Sequence, residues 1–570
     1  MTRSEALRLS ALIVAVLVTA CEPSTTSSGM PVPGECGEEF AVPALDSGES
    51  WRAAGSAAVL LCLDAVPEDP AEFLLVLHGL GRAPRDSLTV RVRGGGGILT
   101  PTPATTLALA PTPGEPQPHE AHHLRLRALE HEALSSRLGA GASLPGPARS
   151  PAALPEVGSL LTFNSQSGSA CEDPRPATGE VVTVSERAIV VADTGNPSGG
   201  FSSDDYARFA ADFDTLIAPL SEDAFGTGVD FGGHGRTTLF FTREVNRLTG
   251  SSTGTVILGF FFARDLFPRK TGGGFEGCTH SNETEILYLL VPDPQGSIGG
   301  VARSRQFVEN RTLSTLAHEY QHLLNSARRL HDPGGRPFEE TWLNEALSHA
   351  AEELLFFRVS GTTSRSHLGF EEISAESRIW NAFIQHQATN SQRLRLYLEE
   401  PMLNSPYDSV AGLATRGAGW SFLRYVLDRK AGDDAATLRA LVDGPDTGLD
   451  NVAGALGGRA NLEAWMADWA VSLFTDGRTA GPPPRFRNPS WNHTSLFANG
   501  IGQVGGSPNH PDPLRTVALA PGVLRHQVIH AGGNAFLRFG TEGRDGAELE
   551  LTVADRRPPD HLHATLVRLR

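Results

Sequence analysis

Between residues 312 and 330, Leu313, Leu316, Ala317, Tyr320, Leu323, Leu324 and Ala327 recur at helical spacing, which predicts an amphipathic helix. Set into that helix is the polar string His318-Glu319-Tyr320-Gln321-His322. Residues four apart lie one turn above each other on one face, so both imidazoles can reach one cation, with Glu319 beside them. Two neutral imidazoles, a carboxylate and an exchangeable water suit zinc and leave a catalytic position open. The string alone is a modest signal; its surroundings decide.

The third ligand has to come from elsewhere. The extended metzincin pattern requires Gly at 325 and His at 328, where this chain has Asn325 and Arg328, so that class is excluded. A second helical segment over 339–357 contains Thr341-Trp342-Leu343-Asn344-Glu345-Ala346-Leu347-Ser348, and Glu345 is the best candidate. The breaker Pro333-Gly334-Gly335 lies between, and the 22 residues separating His322 from Glu345 suffice to end one helix and return as an antiparallel partner.

With these two segments the chain resembles the gluzincin peptidases, in which His-Glu-x-x-His is followed by a helix carrying Asn-Glu. Within that clan it resembles the hyicolysin-type neutral metallopeptidases. The matching stretches are 260–267 with Asp265-Leu266-Phe267, Ser281-Asn282-Glu283 running into Glu285-Ile286-Leu287-Tyr288, and 240–246, together covering roughly positions 185–430. The resemblance implies a thermolysin-like domain with a mixed α/β upper lobe and a helical lower lobe. It implies one catalytic zinc on His318, His322 and Glu345, with Glu319 as general base. Asn344 and His349 would support the ligands from behind, although His349 also reads as a surface residue. A donor for the tetrahedral oxygen is also implied; Tyr407 is the choice, Arg416 a rival, and Tyr425 reads as core. Relatives carry an acidic loop resembling a calcium site at 230–236, where only Asp230 remains here, so calcium stays open.

At 570 residues the chain exceeds what one hydrophobic core organises, and two to four domains are expected. Residues 1–20 carry Arg3 and Arg8, an apolar run over 9–18 and Ala20 before Cys21, the pattern of a signal peptide ending in a lipobox. The apolar run falls well short of the ~20 residues of a spanning helix. Cys21 is therefore the expected lipid anchor, the competing reading being a plain secretory signal. Residues 21–35 would be a tether. Short alternating runs such as Leu88-Thr89-Val90-Arg91-Val92-Arg93 predict an N-terminal β domain over 36–160, and Glu548-Leu549-Glu550-Leu551-Thr552-Val553 predicts a C-terminal one over 483–570. Between them lie an expected linker (161–180), a catalytic α/β lobe holding both helices (181–358) and a helical lobe (359–482). The architecture predicted is thus α+β and multidomain.

Four further cysteines, Cys36, Cys62, Cys171 and Cys278, predict two disulfides in an exported protein. Of the three pairings they allow, Cys36–Cys62 and Cys171–Cys278 are favoured, because each closes a loop inside one proposed domain. The four-glycine run 94–97 lacks the Gly-Lys-Ser/Thr of a phosphate loop and reads as a turn. His119, His122, His123 and His131 lie in polar sequence and read as solvated. A net charge of −17 repels phosphate backbones and anionic lipid, so nucleic acid is not an expected partner and the lipid is the only membrane contact. The expected protein is a monomeric zinc endopeptidase of the bacterial envelope, or extracellular if not lipidated, acting on proteins or peptides. The alternative is a catalytically silent surface lipoprotein that binds a protein or glycan through its β domains.

Overall fold

A computed structural model describes residues 36–570 apart from 65–70, 84–85, 96, 102–117, 140–141, 143, 145–151, 250–255, 332–335, 411, 502–511 and 542–545, with 118–120 as backbone only. The expected signal peptide, Cys21, the tether and the Pro333-Gly334-Gly335 breaker lie outside the described residues. The chain is mixed α/β with several sheets, consistent with an α+β multidomain protein. Among the described residues no helix is long and apolar enough to cross a membrane.

The two terminal β segments do not form separate domains, which corrects the reading of 36–160 and 483–570 as independent units. They interleave in one two-sheet sandwich. In one sheet Ala71–Gly79 runs antiparallel between Asn534–Thr541 and Leu562–Arg568. In the other, Ser87–Gly94 pairs with both Leu524–His530 and Ala547–Val553. Alternation in sequence reveals which residues face a core, but not which distant strand supplies the partner edge. The strand Ala71–Gly79 is almost wholly buried because its two faces serve two cores. Phe73, Leu75 and Leu77 point into the sandwich, while Leu74 and Val76 join the large core shared by the helices and the central sheet. A strand covered on both sides reads as an unbroken apolar run, as this one does.

The central sheet runs in the order Gly259–Phe261, Ile286–Leu289, Thr237–Phe241, Ala188–Asp193, Pro176–Val184, Leu160–Asn164. Its middle strands are parallel, and Gly259–Phe261 closes one edge antiparallel to Ile286–Leu289. The expected linker 161–180 is instead the opposite edge of this sheet: Leu160–Asn164 pairs with Pro176–Val184. Leu160–Asn164 is only five residues long and Pro176–Val184 opens on Pro-Ala-Thr-Gly-Glu, so neither shows a clean apolar alternation. Cys171 is bonded to Cys278, and Cys36 to Cys62.

Helices dominate from Thr341 to Thr475. Residues 484–498 also belong to this region rather than to a C-terminal β domain, because Trp491 packs among Phe356, Phe357, Phe383 and Trp420. The four-glycine run begins on the last residue of Ser87–Gly94 and precedes the short strand Ile98–Leu99, with Gly96 outside the described residues.

Candidate metal centre

Two helices build the centre. The motif helix, Arg305–His331, is buried along most of its second half and carries Arg328 and Arg329 in its last turn, where cations complement the helix dipole. The partner helix, Thr341–Ser360, ends on Gly361 in the left-handed conformation (φ 70°), which glycine adopts without Cβ strain. His318 meets Glu352, His322 meets Asn344 and Ser348, and Asn325 meets Asn344, so the pairings run in opposite order along the two chains. The helices are therefore antiparallel. The sheet edge comes close at Gly259, where a Cβ would stand 2.7 Å from Thr315 Cγ2 and 2.8 Å from the Tyr288 carbonyl. Glycine there is what lets the strand lie against the motif helix.

His318 and His322 stack edge to face with ring centroids 4.8 Å apart. Their Nε2 atoms lie 3.5 and 3.7 Å from the Glu345 carboxylate oxygens, and one ligand atom from each of the three side chains falls within 4.8 Å of the others. Tetrahedral zinc with bonds of ~2.0–2.1 Å separates its ligand atoms by about 3.3 Å, so a small inward movement would close this set on an ion. Both Glu345 oxygens are buried without a hydrogen-bond partner, although Arg416 Nη1 forms an ion pair 2.8 Å from Glu345 Oε2; His322 Nε2 has a 3.3 Å contact with the Ser348 hydroxyl. Atoms of this kind are costly to bury without partners. The donor set fits zinc.

The remaining ring nitrogens are spoken for. His322 Nδ1 lies 3.0 Å from Asn344 Oδ1, and His318 Nδ1 lies 2.7 Å from Glu352 Oε1. Donation from each Nδ1–H fixes the tautomer that presents Nε2 to the centre. Asn344 is thus brought to the cluster, and Glu352 is a support that the sequence reading missed. His349 is fully buried, not a surface residue: its Nδ1 approaches the same Glu352 oxygen at 3.0 Å, and Arg393 lies 3.0 Å from its Nε2. Burial and the neighbouring Arg393 push its pKa down to about 3, so this imidazole is neutral at neutral pH. Burial opposes charge on His318, but its bonds to Glu345 and Glu352 lift its pKa to about 9; the acidic cluster draws positive charge to this point. Burial likewise opposes ionisation of Glu345, yet Arg416 and the two imidazoles hold its carboxyl well below the usual range.

Glu319 is buried, and its Oε2 accepts the Phe261 N–H at 2.9 Å. Burial raises its pKa against the pull of His318. Tyr407 is not brought to this cluster. Its hydroxyl donates to the Gly81 carbonyl at 2.7 Å, its ring meets Trp342, and its charged neighbours are Arg459 and Glu463. Choosing among tyrosines by position in sequence could not see that a loop of the β-sandwich claims this hydroxyl. The rival, Arg416, does reach the centre through its ion pair with Glu345. It is placed there by Leu413–Arg429, which crosses Ala388–Glu399 so closely at Gly417 that a Cβ would stand 2.2 Å from the Arg393 carbonyl carbon. Tyr425 donates to the Arg485 carbonyl and is core.

The His-rich stretch corrects another expectation. It is a helix, Pro118–Arg137, whose Leu126 and Ala133 join the large core. His119 has no described side chain, His131 meets Phe338 edge to face, and His122 meets Phe260 in the same way. His123 is buried within electrostatic reach of Arg416, Glu345 and His318. One turn on, Arg127 Nη2 donates to the Phe261 carbonyl (2.7 Å) and Glu130 Oε1 accepts the Ala263 N–H (2.7 Å), the two forming a buried pair. Positions 123, 126, 127, 130 and 133 do keep helical spacing. Their mix of His, Arg and Glu hid the buried face from a reading that follows apolar residues.

At the loop considered for calcium, Asp230 Oδ1 accepts the Gly235 N–H, and Glu285 accepts the amides of Phe231 and Gly232. Among the described residues, the groupings able to hold a metal are those built on His318, none at this loop.

No family profile matches the chain. Over 145 residues it is 32% identical to the neutral metalloprotease ShpI of Staphylococcus hyicus. That stretch covers 25% of this chain and 29% of ShpI. Part of the chain is thereby related to a metallopeptidase.

Proposed function

We propose that the chain is a zinc-dependent endopeptidase of gluzincin type, similar to the hyicolysin-type enzymes, that hydrolyses peptide bonds in extracellular or envelope proteins. We further propose that it is exported, held to the envelope by lipidated Cys21, and monomeric. One observation carries the catalytic reading: two Nε2 atoms from one helical turn and the Glu345 carboxylate converge within 4.8 Å, with Glu319 adjacent on the same helix.

His318, His322 and Glu345 would hold the ion, while Asn344 and Glu352 fix the tautomers that aim both Nε2 atoms at it. Zinc bound there would supply a Lewis acid that acidifies water and polarises the scissile carbonyl. Glu319 takes the proton of the attacking water and returns it to the departing amine; its buried, raised carboxyl suits a group that must both accept and donate. The Phe261 N–H holds one oxygen of Glu319 and so orients the base. Arg416, rather than Tyr407, is the donor assigned to the developing oxyanion.

The test is cleavage of casein and of a quenched fluorescent peptide by zinc-loaded protein. Activity that is lost with a chelator, restored by zinc and abolished in Glu319→Gln supports the reading. A protein that holds one zinc yet cleaves no peptide library would favour the silent binding lipoprotein.

A further inference from the structure

The edge strand Gly259–Phe261 has one neighbour within its sheet, Ile286–Leu289, and its other side meets side chains instead of a strand, the Phe261 N–H bonding to Glu319. An extended peptide adding to such an edge would offer N–H to one carbonyl and C=O to the amide two residues on. In this chain those two positions, the Phe261 carbonyl and the Ala263 amide, are already taken by the Arg127 guanidinium and the Glu130 carboxylate. Both side chains are almost wholly buried (4% and 2% exposed), so the contacts are sealed rather than peripheral. The same helix buries His123 within electrostatic reach of the ligand cluster and inserts fully buried Leu126 into the large core. At its C-terminal end Arg137 bonds to the Gly277 carbonyl and pairs with Glu172, on either side of the Cys171–Cys278 bridge.

We infer that the helix Pro118–Arg137 is an internal competitor of substrate, which fills the peptide-binding edge beside the candidate metal centre and keeps the enzyme latent until it is displaced. The inference rests on the peptidase reading. Arg127 and Glu130 reproduce the donor and acceptor of a bound peptide backbone, and His123, one turn before them, is buried within electrostatic reach of the ligands. A substrate must therefore evict this helix before its own backbone can pair with Phe261 and Ala263.

The test exchanges the two charges in the full-length, zinc-loaded protein, Arg127→Glu with Glu130→Arg. The i,i+3 pair survives, but a carboxylate then faces the Phe261 carbonyl and a guanidinium faces the Ala263 N–H. Expected are a rise in kcat/KM of at least about 10-fold on an extended fluorescent peptide, faster amide exchange at Ala263, and faster stripping of zinc by 1,10-phenanthroline. A synthetic peptide of sequence 118–137 should inhibit the variant in trans. Leu126→Ala, which loosens the helix without altering charge, should raise activity to a lesser degree and serves if the exchange variant does not fold. An active wild type that the variants fail to exceed, with exchange at Ala263 unchanged, overturns the inference while leaving the peptidase reading intact. If wild type and variants all hold one zinc and none cleaves, the peptidase reading itself falls, and this inference with it.

Discussion

The motif helix and the helix Pro118–Arg137 both drive imidazoles and charged side chains into the interior, and both bond to the same backbone, Glu319 and Arg127 to Phe261 and Glu130 to Ala263. The first surrounds its polar residues with leucine and alanine at helical spacing, so its amphipathic face survives in sequence. The second places His123, Arg127 and Glu130 on its buried face, and every one of them resembles a surface residue. The difference teaches that a buried polar stripe becomes legible only when apolar neighbours frame it. A stripe whose burial is made affordable by partners on another segment stays hidden until those partners are known.

Changes to the framed region should have the largest effects. Glu345→Ala removes a ligand and leaves Arg416 buried without its carboxylate; zinc and activity should both be lost, and stability should fall by about 3–5 kcal/mol. Metal analysis with urea denaturation checks this, and a variant that retains zinc at full stability breaks the assignment. Next comes Glu319→Gln, whose amide oxygen can still accept from Phe261. Its kcat/KM should fall by roughly 10²–10⁴ with the zinc content unchanged. A smaller loss, about 10–100-fold in zinc affinity by competition with a chelator, is expected for Glu352→Gln, which takes the charge from behind His318.

Much of the centre was readable: His318, His322, Glu345, Asn344 and Glu319 lie on two helices whose spacing is explicit in the chain. Glu352 was not, because only the crossing of the helices brings it to His318 Nδ1. Arg393 and Arg416 come from a third and fourth helix that cross at Gly417. The sandwich illustrates the same limit on a larger scale: each strand was visible by alternation, but the pairing of Ala71–Gly79 with strands more than 450 residues later in the chain follows from no local pattern.

Acidity sharpens the comparison through His78 in the sandwich and His493 in the helical region. Burial, followed by the nearby Arg52, lowers the His78 pKa to about 3, and burial lowers His493 to about 4. Both are neutral when folded, whereas the unfolded chain takes up protons below pH ~6.5. Stability from these imidazoles is complete above that pH and erodes as pH falls from 6.5 toward 4. The urea midpoint should decline over that window, and less steeply in His78→Gln; equal slopes would contradict a buried neutral His78. The smallest effect belongs to Tyr407→Phe: about 0.5–1.5 kcal/mol of stability from the lost bond to Gly81, with kcat/KM within ~2-fold of wild type. A 100-fold loss of kcat at unchanged stability would restore this tyrosine to the chemistry and remove Arg416 from it.

The most direct measurement is anomalous scattering at the zinc edge from crystals of the zinc-loaded protein. The account predicts one strong peak within bonding distance of His318 Nε2, His322 Nε2 and a Glu345 oxygen. A peak elsewhere, or a zinc-bound pair of imidazoles with Glu345 turned away toward Arg416 alone, would contradict it.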